Sequence, residues 1–347
     1  MQEQFGRRSR LPQIVMWGTL AGALALPAVA TAVTSQRSFV ASYGDDSKPC
    51  TTVQPCRGFA AALAATSAGG EIIVLDSAGY GPVTIDKSIT IVAPSGVYAG
   101  ITVASGNGIT IATNGIDVRL KGLTINGLGG TYGIRVTAGN TVRIEDCTIA
   151  NISWGVRVDG PVLMDVRASR FDRNSSGGIW VQNGTTLAVS DSEFIAAANG
   201  VFVTSTTTAT TRASVARSSF VRVNTGLRAL GAPTTANAYA SISDSTFTGD
   251  HTTASGYLAV ADCQPAGACI AEQVRVAATR NVVTGASVGG LYANANGSTI
   301  IATQNTISDS SIGLAGMAGG AIWTLQDNAV YKNSVDTNGT VTDKSYR

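Results

Sequence analysis

The sequence is poor in the residues that enzymes use for acid–base and metal chemistry. Its 347 residues include one histidine, His251, and only 13% of them are charged. A Ser-His-Asp arrangement would depend on that single histidine, for which an ordinary surface position is the simpler interpretation. No group of residues has the spacing of zinc ligands, and no phosphate-binding loop is visible. We therefore look for a function outside nucleophilic, zinc and nucleotide chemistry.

Long apolar runs are also missing, except near the N-terminus. Residues 1–32 contain three arginines, then an apolar run from Ile14 to Val29 with Ala-x-Ala sites at its end. This order is typical of a secretory signal peptide. A membrane anchor is the alternative, but the run is shorter than the ~20 residues that a span needs. We expect an exported protein, secreted, periplasmic or on the cell surface, with no transmembrane segment after cleavage.

An excess of basic charge is absent from the rest of the chain. Removal of residues 1–32 takes three of the 24 basic and one of the 22 acidic residues, which leaves 21 of each. A nucleic-acid-binding protein needs a strong basic excess, so we expect no nucleic-acid partner. The sequence carries no signal for a particular oligomeric state.

A six-residue phrase recurs along the chain, most clearly as 189–194 and 242–247. Successive copies are 24, 22, 23, 26, 27, 36, 24 and 23 residues apart. Intervals that lengthen but hardly shorten are typical of a solenoid. The missing Leu-x-x-Leu-x-Leu pattern excludes leucine-rich repeats, and the interval is about half of what a propeller blade needs.

The first, fourth and sixth positions of the phrase keep a residue type, as inward positions of a strand do. The fourth position is polar in most copies and changes from serine to asparagine along the chain: Cys147, Ser169, Ser192, Ser218, Ser245, Asn281, Asn305, Asn328. Stacked at ~4.8 Å, these side chains predict an inward ladder of hydroxyl and amide hydrogen bonds.

A second strand follows each phrase and begins with glycine, as at Gly133, Gly155, Gly178 and Gly200. With a third run per turn and Asn, Asp and Gly at the corners, the pattern predicts a three-sided coil. In coil length, ladders and corners, residues 70–335 resemble the right-handed parallel β-helix of the pectin-lyase-like superfamily, and within it exported bacterial repeat proteins. The resemblance implies an all-β, single-stranded, right-handed parallel β-helix.

The ends of the solenoid should differ from its body. Residues 33–70 predict a strand, a loop between Cys50 and Cys56, and a helix from Phe59 to Ala65 that caps the open end. Residues 71–335 form the β-helix itself, and 336–347 a polar tail. Cys263 and Cys269 repeat the spacing of the first cysteine pair, so two disulfides are expected, with Cys147 buried and reduced on the ladder.

The strands that begin with glycine place one outward residue per turn in a column: Arg135, Arg157, Trp180, Phe202, Arg228. Arginines stacked at ~4.8 Å repel each other unless an anion joins them, and exposed aromatic rings provide a platform for sugar rings. We predict a groove in which the arginines bind carboxylates of a glycan while Trp180 and Phe202 stack on it. The alternative is that the arginines pair with Asp159 or Glu145.

Extra residues in three successive turns follow this column, near 205–211, 231–238 and 261–273. Loops at one place on adjacent turns would form a wall beside the groove. Variation in loop length without a function is the alternative.

Enzymes of the resembled superfamily provide a test for catalysis. Its pectate lyases use clustered acidic calcium ligands and an arginine base, but no Arg-x-Pro-x-x-Arg phrase occurs here. The aspartate and histidine phrases of polygalacturonases are also missing. We therefore predict a protein that binds a polysaccharide or surface glycan without a recognisable catalytic set or cofactor. The alternatives are a uronate lyase, with Arg135 or Arg157 at the site and calcium as cofactor, and a structural or adhesive solenoid.

Overall fold

The computed structural model describes residues 1–3, 6, 34–232, 237–249, 256–264, 269–270 and 273–344. Most of the predicted signal peptide and His251 lie outside these residues. The chain divides into two units, Met1–Val33 and Thr34–Arg347, and the fold below is that of the second. Over the described ranges, no helix has the length and apolar character needed to cross a membrane.

Three parallel sheets form the second unit, with 13, 11 and 11 described strands. The first sheet contains Ser35–Val40, Thr66–Val74, Ile89–Val92, Asp117–Lys121, Thr141–Glu145, Leu163–Arg167, Thr186–Ser190, Thr211–Ala216, Ala238–Ser243, Val274–Thr279, Ser298–Thr303, Ala321–Thr324 and Val341–Asp343. The second contains Ala78–Gly79, Ala99–Val103, Leu123–Gly127, Thr148–Ala150, Arg170–Asp172, Glu193–Ile195, Ser219–Val221, Thr246–Thr248, Val282–Thr284, Thr306–Ser308 and Ala329–Tyr331. The third contains Val83–Ile85, Asn107–Ala112, Tyr132–Ala138, Trp154–Val158, Gly177–Gln182, Asn199–Thr204, Thr225–Gly231, Tyr257–Cys263, Gly289–Asn294, Ile312–Met317 and Val335–Gly339. The predicted three-sided parallel β-helix is thus confirmed.

The recurring phrase is a corner rather than a single strand. It begins at the end of a first-sheet strand and ends in a second-sheet strand, so that 189–194 joins Thr186–Ser190 to Glu193–Ile195. Its third residue turns the chain in a left-handed conformation, with φ of 53° at Asp191 and 51° at Asp244. The fourth residue then points inward, which explains why it keeps its type.

The predicted ladder of polar side chains is confirmed at this corner. Ser169 Oγ accepts a hydrogen bond from the Cys147 N–H (3.2 Å) and donates one to the carbonyl of Arg167 (2.8 Å). Further along, Asn281 Nδ2 donates to Asn305 Oδ1 at 2.9 Å. Each turn therefore hydrogen-bonds to the next through buried side chains as well as through its strands.

Aromatic rings stack beside the ladder and fill the interior. Phe171 and Phe194 have ring centroids 4.9 Å apart, and Phe194 and Phe220 have centroids 5.0 Å apart, both nearly parallel. All three rings are buried. Because the centroid spacing matches the ~4.8 Å strand spacing, one phenylalanine per turn builds a continuous core.

The N-terminal end has the predicted helix, Phe59–Ala65, whose Phe59, Ala62 and Leu63 are buried against the first turns. Disulfides join Cys50 to Cys56 and Cys263 to Cys269, and Cys147 is a buried free thiol. At the other end, the predicted polar tail, 336–347, contains most of two further strands, Val335–Gly339 and Val341–Asp343, which extend the third and first sheets. These strands are mostly exposed, so they lack the apolar alternation by which sequence patterns are recognised.

Candidate functional site

The five residues of the predicted groove lie in one outward column of the third sheet. Arg135 is paired in register with Arg157, and Arg157 with Trp180. Trp180 is then paired with Phe202, and Phe202 with Arg228. Each step along the column is one strand spacing, about 4.8 Å.

Glycine at the start of each strand allows this alignment. A Cβ on Gly155 would lie 2.6 Å from the carbonyl oxygen of Gly178 and 2.7 Å from Phe171 Cδ1. A Cβ on Gly178 would lie 2.5 Å from Phe194 Cδ1. Only glycine lets the strand approach the stacked phenylalanines so closely, and the residue two positions later then points outward.

The first two arginines share a carboxylate. Arg157 Nε donates to Asp159 Oδ1 at 2.8 Å, and Arg135 Nη2 contacts Asp159 Oδ2. Gln182 Nε2 donates to the same Oδ1 at 3.1 Å. The side chains of Arg157 and Asp159 are only 13% and 17% exposed. We call Arg135, Arg157, Asp159 and Gln182 the first cluster.

The alternative pairing with Asp159 is therefore what the structure shows for these two arginines. Glu145 instead binds Arg119, with 2.6 Å between its Oε2 and Arg119 Nη2. Since Asp159 already joins Arg135 and Arg157, their repulsion is relieved without a ligand. The expectation that an anionic ligand must join them does not hold.

Arg228 also has a carboxylate partner, one that the sequence pattern did not reveal. Its Nη2 lies 2.8 Å from Asp262 Oδ2. Asn294 Nδ2 and the Cys263 N–H donate to Asp262 Oδ1 at 3.0 and 2.8 Å. The Asp262 side chain is only 6% exposed. We call Arg228, Asp262 and Asn294 the second cluster.

An aromatic floor lies between and beside the clusters. The centroid of Trp180 is 5.1 Å from that of Trp154 and 5.5 Å from that of Phe202. Arg157 Cζ is 3.3 Å from the Trp180 centroid, and Trp180 Nε1 donates to Thr204 Oγ1 at 3.1 Å. Trp180 and Phe202 are half-buried, so that part of each ring remains accessible.

Tyrosines extend the aromatic surface at both ends. Tyr132 lies 4.6 Å from Arg135 Cζ at one end, and Tyr257 and Tyr292 are 5.0 Å apart at the other. Burial, followed by the neighbouring Tyr292, raises the pKa of Tyr257 to about 12. Tyr257 therefore remains a neutral hydroxyl at any physiological pH.

Register excludes a paired-carboxylate mechanism for Asp159 and Asp262. Gln182, Thr204, Leu230 and Asp262 are successive register partners, and Asp159 lies on the turn before Gln182. Four strand spacings, about 19 Å, thus separate the two aspartates. Glycosidases place their two carboxyl groups about 5 to 9.5 Å apart. Within the described ranges, no three His, Cys, Asp or Glu residues are grouped so that they could hold a metal ion.

Two other predictions concern the wall beside the column and Cys147, which lies at a corner between the first and second sheets. Parts of the predicted wall, 233–236, 265–268 and 271–272, lie outside the described residues. The described parts include the ends of the strands Thr225–Gly231 and Tyr257–Cys263, where Asp262 continues the row of Thr204 and Leu230. Cys147 is 2% exposed, and burial raises the pKa of its thiol to about 12, as expected for an unreactive core residue.

Comparison with known proteins supports the fold. A family model described as a right handed beta helix region matches residues 107–256. The chain is similar to a pectate lyase, Pel9A (TM-score 0.57, 15% identity, covering 89% of this chain and 80% of that one). It is also similar to a rhamnogalacturonan lyase, with a TM-score of 0.52 and 12% identity, covering 90% of this chain and 87% of that one. A third similar structure is that of the GH136 lacto-N-biosidase from Eubacterium ramulus, with a TM-score of 0.51 and 10% identity, covering 89% of this chain and 68% of that one. No curated protein matches the chain by sequence.

Proposed function

We propose that this right-handed parallel β-helix of the pectate lyase-like fold binds a polysaccharide or surface glycan on the outward face of its third sheet. The binding face comprises the two clusters and five partly accessible rings, Tyr132, Trp180, Phe202, Tyr257 and Tyr292, while the buried Trp154 packs against Trp180 and supports it. The observation that carries the proposal is the in-register run of partly accessible rings at Trp180 and Phe202, flanked by hydrogen-bonding groups. Sugar rings offer apolar faces for stacking and hydroxyls for such groups.

The charges of the face favour a neutral or weakly acidic glycan. Three arginines and two aspartates give a net charge of +1, and each arginine already contacts a carboxylate. A strongly acidic polymer would compete with Asp159 and Asp262 for these guanidinium groups, and displacing a partly buried carboxylate from its partner costs several kcal/mol. Hydroxyls, by contrast, can bind the remaining guanidinium and amide N–H groups without breaking a pair.

The same pairing argues against the lyase alternative. An arginine base must reach the proton of its substrate, but Arg157 Nε and Arg135 Nη2 already bind Asp159. Asp159 therefore opposes a base role for both Arg135 and Arg157.

The two disulfides support the proposal that the protein acts outside the cytoplasm, since such bonds persist in oxidising compartments.

Affinity electrophoresis of the full chain tests the proposal. Native gels would carry a neutral β-glucan, polygalacturonate or alginate, each with and without calcium. We expect retardation by a neutral or weakly acidic glycan that persists when salt is raised, because stacking and neutral hydrogen bonds are not screened. Calcium-dependent release of unsaturated uronates would instead establish the lyase alternative. Free migration in every gel would leave the structural or adhesive solenoid as the function.

A further inference from the structure

The binding face contains the same arrangement of three side chains twice. In the first cluster Asp159 binds the guanidinium of Arg135 on the preceding turn, as well as that of Arg157, and the amide of Gln182 on the next turn, with an Nε2–Oδ1 distance of 3.1 Å. In the second, Asp262 binds the guanidinium of Arg228 at 2.8 Å and the amide of Asn294 at 3.0 Å. Each carboxylate is thus held between an arginine and a primary amide on the next turn.

The orientation of the two arrangements is also the same. In both clusters the amide belongs to the turn that follows the aspartate, and both aspartates occupy the same outward row. That row contains Thr204 and Leu230 between them, neither of which is charged. The aromatic floor runs alongside this interval, with Trp180 and Phe202 in the neighbouring row.

Each cluster retains unused hydrogen-bonding groups. Asn294 Oδ1 accepts no hydrogen bond from a described residue, and a carboxylate has about four acceptor positions, of which Asp262 uses three. Arg135 Nε and Arg228 Nε lack a partner within the described part of the chain but are buried, whereas the two side chains as a whole are 23% and 29% exposed, so a ligand can meet the rest of each guanidinium. Mixed donors and acceptors around a neutralised charge suit a hydroxyl-rich ligand.

We propose that the clusters are two equivalent subsites, about 19 Å apart, that one linear glycan fills at the same time. An arginine, a carboxylate and a primary amide in the same order at both places fit a polymer whose own groups repeat, and the aromatic floor between the clusters supports the stretch that joins them. Short oligosaccharides fill only one subsite. The inference rests on the proposed function and adds to it a minimum ligand length.

A length series of oligosaccharides tests the two-subsite arrangement. Cello-oligosaccharides and oligogalacturonates, from disaccharide to decasaccharide, would be titrated into the full chain by calorimetry. We expect weak binding of short members and a rise of at least about 100-fold once a member spans both clusters, because the second contact becomes intramolecular. A gradual increase without a step would overturn the two subsites while leaving glycan binding intact.

Substitutions in either cluster make the test specific. Gln182→Ala or Asn294→Ala should remove the step, because each variant keeps only one complete subsite. Asn140→Ala is a matched control, because Asn140 Nδ2 also donates to an aspartate, Asp117, at 2.8 Å, but away from the binding face. A step that survives both cluster substitutions would overturn the proposal. Failure of every member and of the polymers to bind would remove the proposed function as well.

Discussion

Replacing Asn305 by alanine removes one rung of the polar ladder and its four hydrogen bonds. Asn305 Nδ2 donates to the carbonyl of Ala278 and to Asn328 Oδ1, both at 2.9 Å. Its Oδ1 accepts from the backbone N–H of Asn281 at 3.1 Å and from Asn281 Nδ2 at 2.9 Å. The side chain is buried, with 1% of the residue exposed, so water cannot replace these partners. At about 1 kcal/mol per bond, we expect a loss of about 4 kcal/mol in the free energy of local opening.

Native-state hydrogen exchange measures that loss where it occurs. Since about 1.4 kcal/mol corresponds to a factor of ten, amide protection in 274–308 should fall by about 10² to 10³. Asn305→Ser should lose less, because a hydroxyl provides the rung at Ser245. Asn140→Ala, which removes one exposed hydrogen bond, should change protection little. A change below tenfold for Asn305→Ala would refute the view that the ladder joins the turns.

Two further predictions concern Asp159 and Cys147. Asp159→Asn raises the net charge of the binding face from +1 to +2, so polygalacturonate should retard the variant more strongly, and about 1 M salt should abolish the difference. Equal retardation of both proteins would mean that Asp159 does not neutralise the arginines. Burial raises the pKa of the Cys147 thiol from its ordinary value of 9.0 to about 12, so the folded protein should resist iodoacetamide and react only after unfolding. Because the pKa of the thiol is higher in the folded than in the unfolded protein, its contribution to the free energy of unfolding is complete below pH 9 and is lost towards pH 12. Cys147→Ser should therefore lose less stability at alkaline pH than the unaltered protein. Identical profiles of stability against pH for the two proteins would contradict this.

The fold was predictable because one pattern is repeated many times. A corner such as 189–194 joins two sheets, and its inward Ser192 must bond both neighbouring turns, so its type is kept. The same constraint selects serine or asparagine at each later corner. The phrase was taken for one strand because a corner also alternates inward and outward residues. The repeat interval was nevertheless visible, since the same corner recurs in every turn.

The binding face was only partly predictable. Gly133 and Ile134 both face the interior, since a Cβ on Gly133 would lie 2.6 Å from Ile149 Cγ2 and Ile134 is fully buried. Two consecutive inward residues break the alternation of a strand, so the outward Tyr132 and its register partner Trp154 did not fit the pattern. Counting two residues on from Arg157 to Asp159 would have found the outward row that contains both aspartates.

The second cluster was missed for a different reason. Asp262 lies in a turn with extra residues, where the interval between phrases rises to 36. Extra loop residues change the number of residues between corresponding positions of successive turns, although the strands themselves stay paired in register. Sequence spacing therefore could not align Asp262 with Asp159, whereas strand pairing does so directly.

A matched pair of tryptophan variants tests the proposed binding face most directly. Trp180 lies on the floor of that face, whereas Trp323 is outward on the first sheet, with Lys344 Nζ 5.0 Å from its ring. In affinity electrophoresis with the glycan that retards the unaltered protein, we expect Trp180→Ala to lose at least about tenfold in affinity, as for a central aromatic contact. Trp323→Ala should bind as the unaltered protein does. Equal retardation of both variants would contradict glycan binding on the third sheet.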